Sequence, residues 1–418
     1  MKEKANIYFW AKNISSKMDK VIPSPAKKYV KEQMIKRRIE KYVNHDKIPY
    51  KDGAYKEGIN LIGSIKAEMG LGQSCRLLAN MIKETKYEFT VYNYGFSGMV
   101  KEEDSSFDEF ISEELPYAIN IFHVNPCELG NLFMGLQNAW DGRYNIAFWL
   151  WELEEFPKEW EIYCKLFDEI WTPSEFSGRA IKKITDVPMK VLPYYVTAQY
   201  KKTMNRKEFL LPNNKFLFLV MYDINSTEGR KNPQGAITAF KMAFAPQNDE
   251  VGLVIKVNNG TDKQIRKLKS QLAEYKNVYY IMETIDKEAV NSLIKCCDVF
   301  VSLHRAEGFG LVMAEAMLLG RPVIATNWSS NTEFMSKEAA CMVDCQMIKN
   351  QQTEGLYKKG CVWAEPDYGQ AAEYMEKLWR DKNYYLKKKK AETEYINDVL
   401  NRDKLVDLLE EYIQEAIN

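Results

Sequence analysis

The chain has 418 residues, 46% of them apolar and 28% charged, with 58 basic residues balanced by 58 acidic ones. That length exceeds one ordinary core and predicts two domains, and the composition excludes a disordered chain. Eight scattered cysteines with no C-x-x-C pair, and three histidines in all, argue against a zinc centre and fit reduced thiols in a cytoplasmic enzyme.

Residues 1–50 carry thirteen Lys or Arg and five Asp or Glu, a basic surplus of eight. They predict a basic helical extension, residues 1–52, interrupted at Pro23 and Pro25. Such a leader can visit an anionic membrane surface or remain a solvated helix. No apolar run resembles a secretory leader or reaches the length that crosses a bilayer.

From residue 53 a rhythm of apolar runs begins: GINLIG (58–63), EFTVYNY (88–94), YAINIFHVN (117–125), YNIAFWLWEL (144–153) and EIWTPS (169–174). Helical patterns separate several of them. Continuous apolar strands alternating with helices predict a parallel sheet covered on both faces. The polar segment 195–214 breaks the rhythm and reads as a linker. A second set follows: KFLFLVMYD (215–223), VGLVIKVNNG (251–260), NVYYIME (277–283), DVFVSLH (298–304) and PVIATNW (322–328). The expectation is therefore an α/β chain with two Rossmann-like, doubly wound domains facing across a cleft. The first spans 53–198 and the second 199–380, with helices in 381–418 returning to the first domain. Ligands in such folds sit beyond the carboxyl ends of the strands.

The stretch RAEGFGLVMAEAMLLGRP (305–322) occupies such a position. Gly308 and Gly310 permit a tight turn and leave the first amides of the following helix unobstructed, a setting suited to phosphate. Glu315 lies about 7.5 Å along that helix from Gly310, at ~1.5 Å per residue. Side chains lean towards the helix start, so its carboxylate reaches back beside the turn. Glu307 precedes the turn on the other side. Phosphate amides flanked by two carboxylates suit a nucleotide-diphosphate sugar. Adjacent Arg230 and Lys231, in the loop after KFLFLVMYD, would stabilise a departing diphosphate. Gly70 and Gly72 follow the first strand but do not fit G-x-G-x-x-G, which disfavours a dinucleotide oxidoreductase. No D-x-D occurs, so neither a metal nor another cofactor is expected.

The segment SLHRAEGFGLVMAEAMLLGRPVIATNWSSNTEFM resembles retaining glycosyltransferase family four, of GT-B fold, and most closely its branch in bacterial surface-polysaccharide synthesis. Its hallmark is E-x7-E, here Glu307 and Glu315. The resemblance implies that Glu307 contacts donor sugar and phosphate. It also implies that Gly308, Phe309, Gly310 and Leu311 bind the diphosphate and that Glu315 binds ribose. In that family an arginine and a lysine stabilise the leaving group, usually with several residues between them, whereas Arg230 and Lys231 are adjacent. Gly70 and Gly72 would bring amides towards the donor, and Asn331 would lie near it. His123, Asn125 and Glu152 would face the acceptor or the sugar, and Glu154 and Glu155 extend that acidic stretch. The expected reaction moves a hexose from a nucleotide sugar to a saccharide or lipid-linked glycan, at the inner face of the membrane. A nucleotide-sugar epimerase or a non-catalytic sugar-binding subunit shares the same pattern, and no nucleic-acid partner is expected.

Overall fold

The computed structural model describes residues 24–95 and 101–417. The first 23 residues of the predicted basic extension, Pro23 included, lie outside the described residues. Within the described part, a helix covers Ser24–Lys41. Pro25 sits in its first turn, where a missing amide donor costs no hydrogen bond, so it opens the helix instead of breaking it. Ile35, Ile39 and Tyr42, spaced at helical intervals, are buried. They pack on the first domain, where the Tyr42 hydroxyl donates to Asp141 Oδ1 at 2.6 Å.

The first domain is built on six parallel strands: β1 (Lys56–Gly63), β2 (Phe89–Asn93), β3 (Tyr117–His123), β4 (Tyr144–Phe148), β5 (Glu169–Thr172) and β6 (Met189–Val191). Their order is β2-β1-β3-β4-β5-β6. Residues 58–63 of β1 are all buried, as a sheet covered on both faces requires. The second domain repeats the plan with β7 (Phe216–Asp223), β8 (Val251–Asn258), β9 (Val278–Ile281), β10 (Val299–Ser302), β11 (Val323–Thr326) and β12 (Cys341–Val343). These run β12-β11-β10-β7-β8-β9. Helices fill the connections, and the expected α/β architecture of two parallel-sheet domains is present.

Three features depart from the sequence reading. The apolar run 144–153 is a strand only to Phe148. Trp149 and Trp151 are buried in the loop beyond it, their indole N–H groups donating to Val124 O at 3.0 Å and Glu155 O at 2.8 Å. The three-residue strands β6 and β12 are too short to show a period. An antiparallel hairpin, β13 (Cys345–Lys349) and β14 (Val362–Pro366), leaves the second domain after β12.

Segment 195–214 carries no helix or strand. It is held by Arg206, which donates to Cys296 O at 2.8 Å and pairs with Asp298 at 2.8 Å. Helices Tyr368–Arg380, Lys382–Val399 and Arg402–Ile417 end the chain. The last lies on the first domain, with the Tyr412 hydroxyl 3.2 Å from Val191 O.

The loop between β1 and helix Gly70–Lys83 shows how tightly the strand ends are packed. Arg76 donates to Ile65 O at 2.7 Å and Ala67 O at 3.0 Å. A Cβ on Gly72 would lie 2.0 Å from Ala67 O, whereas one on exposed Gly70 would meet nothing within 4 Å. Gly72→Ala should therefore lose about 1–3 kcal/mol of stability and several degrees of melting temperature, with Gly70→Ala near neutral. Thermal unfolding followed by circular dichroism measures both.

Candidate active site

β10 ends at Ser302, and residues 303–310 form the loop that leads into helix Leu311–Leu318. Gly310 stands at the helix start with φ +103°, a conformation open to glycine. The loop is buried from Ala306 to Gly310. His304 is fully buried, and its Nε2 lies 3.0 Å from Asn331 Oδ1. The Glu307 amide donates to Ser329 Oγ at 3.0 Å, and Ser330 Oγ donates to Glu307 O at 2.9 Å.

β7 lies beside β10, and its carboxyl end leads to a one-turn helix, Glu228–Lys231. Left-handed Asn232, φ +49°, ends that turn. Arg230 and Lys231 both reach Glu307 from it. Lys231 Nζ forms a close ion pair with Glu307 Oε1, and Arg230 Nη1 lies 3.4 Å from Oε2. Arg230 Nη1 also donates to Ala306 O at 2.9 Å. Burial by itself would raise the Glu307 carboxyl, but Lys231 and Arg230 hold it down at about 2. It is a buried carboxylate clamped between two cations, all less than a third exposed. The cationic pair is positioned by Arg305, which donates to Gly229 O at 2.7 Å and pairs with Glu365 at 2.6 Å.

Glu315 is fully buried on helix Leu311–Leu318. One of its oxygens lies 2.5 Å from Lys287 Nζ, at the start of helix Lys287–Cys296 after β9. Neither oxygen accepts an aligned hydrogen bond. Burial raises this carboxyl above its ordinary value, with Lys287 opposing. A buried acceptor with unused capacity is the group that a ligand hydroxyl would complete.

The other residues expected at the site fall into two sets. Gly308 meets the first domain: Ser174 Oγ donates to its carbonyl at 3.3 Å, and a Cβ there would lie 3.6 Å from Glu152 Cγ. Glu152 is half-buried at this junction, beside Trp151, whose ring lies 6.0 Å from that of Tyr357. Asn125 accepts from Leu150 N at 3.1 Å, joining the loops after β3 and β4. Leu311 is half-buried at the helix start.

The second set points inwards. Phe309 packs in the core, its ring 5.1 Å from those of Tyr194 and Phe334. The Asn331 amide is engaged by His304 and, at 3.0 Å, by Thr326 O. His123 is buried, 2.7 Å from Ser74 Oγ, and burial pushes it down to about 4, so it is neutral. Gly72 packs on Ala67 and Ser64 of its own domain. Glu154 and Glu155 are exposed, the latter paired with Lys183 at 2.6 Å. Sequence reasoning missed Tyr357, Lys287 and Ser329, because their position beside the site comes from separate loops and no local pattern marks them. Among the described residues no group of three His, Cys, Asp or Glu side chains could hold a metal ion.

Residues 201–395 match the family described as glycosyl transferases group 1. Among solved structures the chain is similar to the HepE protein of Anabaena, solved with UDP and glucose, at 13% identity and TM-score 0.63 over 86% of this chain and 100% of that one. It is also similar to a glycosyltransferase of Rickettsia africae, at 12% identity and TM-score 0.62 over 87% and 99%. Sucrose-phosphate synthase of Thermosynechococcus elongatus, at 13% identity, gives TM-score 0.60 over 86% and 99%. None of the curated proteins matches. The fold is GT-B, as the E-x7-E stretch led us to expect.

Glu307 has a folded pKa of about 2 against an ordinary 4.5. Its stabilising contribution is thus complete above about pH 4.5 and is lost as pH falls towards 2. In Glu307→Gln that part of the acid destabilisation should vanish. Urea midpoints measured from pH 5 to pH 2.5 read the difference, and parallel wild-type and variant curves would contradict the ion-pair assignment.

Proposed function

We propose that the chain is a retaining glycosyltransferase that moves a hexose from a nucleotide-diphosphate sugar to a saccharide or glycan hydroxyl, in cell-surface polysaccharide synthesis. The observation that carries this reading is the Glu307–Lys231–Arg230 cluster at the carboxyl ends of β10 and β7, with buried Glu315 one helix turn beyond. Two cations and the amides at the start of helix Leu311–Leu318 suit the diphosphate. Charge accumulates on that group as the glycosidic bond breaks, so donors fixed in advance stabilise the transition state more than the ground state. Glu315 and Lys287 would take the ribose hydroxyls. Glu307, held ionised, would orient the sugar and stabilise positive charge at its anomeric carbon. Transfer would proceed on one face, the acceptor proton passing to the leaving phosphate, with no metal ion required.

UDP-sugars are the first donors to test, because the similar HepE structure holds UDP and glucose. A matching nucleotide sugar at 100 times its dissociation constant adds about 2.7 kcal/mol of stability, a readable thermal shift. With that donor, Lys231→Ala and Glu307→Ala should each lower transfer by about 10²-fold or more. EDTA should leave the wild-type rate unchanged. Wild-type rates in both variants, or an inverted anomeric product, would refute the mechanism.

Among the described residues no helix is long and apolar enough to cross a membrane. The outward face of helix Ser24–Lys41 instead exposes Tyr29, Val30 and Met34 beside Lys31, Arg37 and Lys41. Mixed basic and apolar faces bind anionic lipid surfaces. Sedimentation with phosphatidylglycerol vesicles should exceed that with phosphatidylcholine vesicles, and the double variant Arg37→Glu, Lys41→Glu should weaken it about tenfold. Equal sedimentation with both vesicles would remove the membrane from the proposal.

A further inference from the structure

Helix Glu175–Lys182 of the first domain begins with donors that its own domain does not fill. The first amides of a helix have no partner within it. Ser174 Oγ takes the amide of Ser177 at 3.2 Å. Those of Glu175 and Phe176 are taken by the other domain, through Glu333 Oε2 at 2.9 Å and Oε1 at 2.8 Å. A carboxylate spread over two amides at the positive end of a helix forms charge-assisted bonds in a fixed direction. Beside it the ring of Trp328 meets that of Phe176 edge-on, at 5.7 Å.

Glu333 ends the turn Ser330–Glu333, whose opposite side holds the loop of Glu307. Ser329 Oγ accepts from the Glu307 amide at 3.0 Å, and Ser330 Oγ donates to the Glu307 carbonyl at 2.9 Å. Ser329 has φ +73°, a left-handed conformation that a residue with a side chain keeps only where its surroundings impose it. The turn itself is braced, Thr332 Oγ1 donating to Ser329 O at 2.8 Å and Asn331 Nδ2 to Thr326 O at 3.0 Å. Residues 329–333 thus join the backbone of Glu307 to the first turn of a helix in the opposite domain.

We propose that Glu333 is a positioning residue of the transfer reaction: by capping helix Glu175–Lys182 it sets the separation at which the first domain stands from Glu307. The inference rests on the glycosyl-transfer reading. Every group assigned to the donor there, Glu307, Arg230, Lys231, Glu315 and Lys287, belongs to the second domain. An acceptor carried by the first domain reaches the anomeric carbon only at one spacing of the two domains. A misplacement of about 1 Å costs on the order of 10²-fold in rate. Glu333 touches neither donor nor acceptor. It acts through the turn behind it, and so governs turnover while leaving donor affinity alone.

The test separates turnover from donor binding in the full chain. Calorimetric titration with UDP-glucose, or with the nucleotide sugar returned by the thermal-shift screen, counts the donor sites and gives their affinity. Turnover per site is then read as nucleoside diphosphate release with a saturating lipid-linked glycan extract of the source cells, so a partly unfolded variant does not blur the result. In Glu333→Ala turnover per site should fall about tenfold or more, with the donor dissociation constant within about twofold of wild type. Glu175→Pro reaches the same bond from the other side. Proline is favoured in the first turn of a helix, extended Ser174 suits the residue before it, and the amide that meets Oε2 is deleted. Glu175→Pro should lower turnover about threefold relative to Glu175→Ala, which keeps the amide, and should cost less in the Glu333→Ala background. A cap with a structural role alone would reduce the number of donor sites and leave turnover per site at the wild-type value, which overturns the inference. Fully additive effects of Glu175→Pro and Glu333→Ala overturn it as well. A wild type that binds the donor and never turns it over strikes the glycosyl-transfer reading itself, and the positioning role falls with it.

Discussion

The structure turns on one buried charge cluster. Glu307, Arg230 and Lys231 meet where the loops after β10 and β7 converge. Removing three charges from water is costly, and their attraction repays that cost only if each is further satisfied. The surroundings meet much of this demand, though Arg230 Nε is buried without a hydrogen-bond partner among the described residues. Ala306 O takes Arg230, Ser329 and Ser330 secure the Glu307 backbone, and Arg305 binds the turn that carries the cations. The cluster therefore ties together three loops, the turn that bears Arg230 and Lys231, residues 303–310 and the segment at Ser329 and Ser330. It also leaves cationic donors and helix amides at one spot, which is the preorganisation that an anionic leaving group needs.

The domains are joined here by apolar contacts, Phe309 on Tyr194 and Phe176 on Trp328, and by small polar groups. Ser174 Oγ lies 2.9 Å from Ser330 Oγ and donates to Gly308 O. Glu333 of the second domain accepts from the amides of Glu175 and Phe176, at 2.9 and 2.8 Å, and so caps a helix of the first. The hairpin adds two aromatic side chains, Tyr357 and Trp363, that pack in the buried cluster of the first domain while belonging covalently to the second.

Much of the fold was legible because buried parallel strands are long apolar runs with glycines and polar loops at their ends. GINLIG, KFLFLVMYD and VGLVIKVNNG could be read from composition alone, since both faces of each strand are covered. The run through Trp149 and Trp151 misled for the same reason. Apolarity reports burial, and a buried loop held by indole hydrogen bonds has the same signature as a strand. Short edge strands such as Met189–Val191 and the hairpin after β12 left no period to detect.

At the site, local spacing placed Glu307, Gly308, Gly310 and Glu315 on one loop and helix, because turn and helix geometry act over a few residues. That Arg230 and Lys231 both grip Glu307 could not be read from their adjacency. It depends on the sheet order, which sets β7 beside β10, and on the left-handed turn at Asn232. The inward roles of Phe309, Asn331 and His123, and the place of Tyr357 between Trp151 and Arg230, were likewise decided only in three dimensions. Side chains separated by tens to hundreds of residues acquire a common environment through packing, and no one-dimensional pattern carries that information.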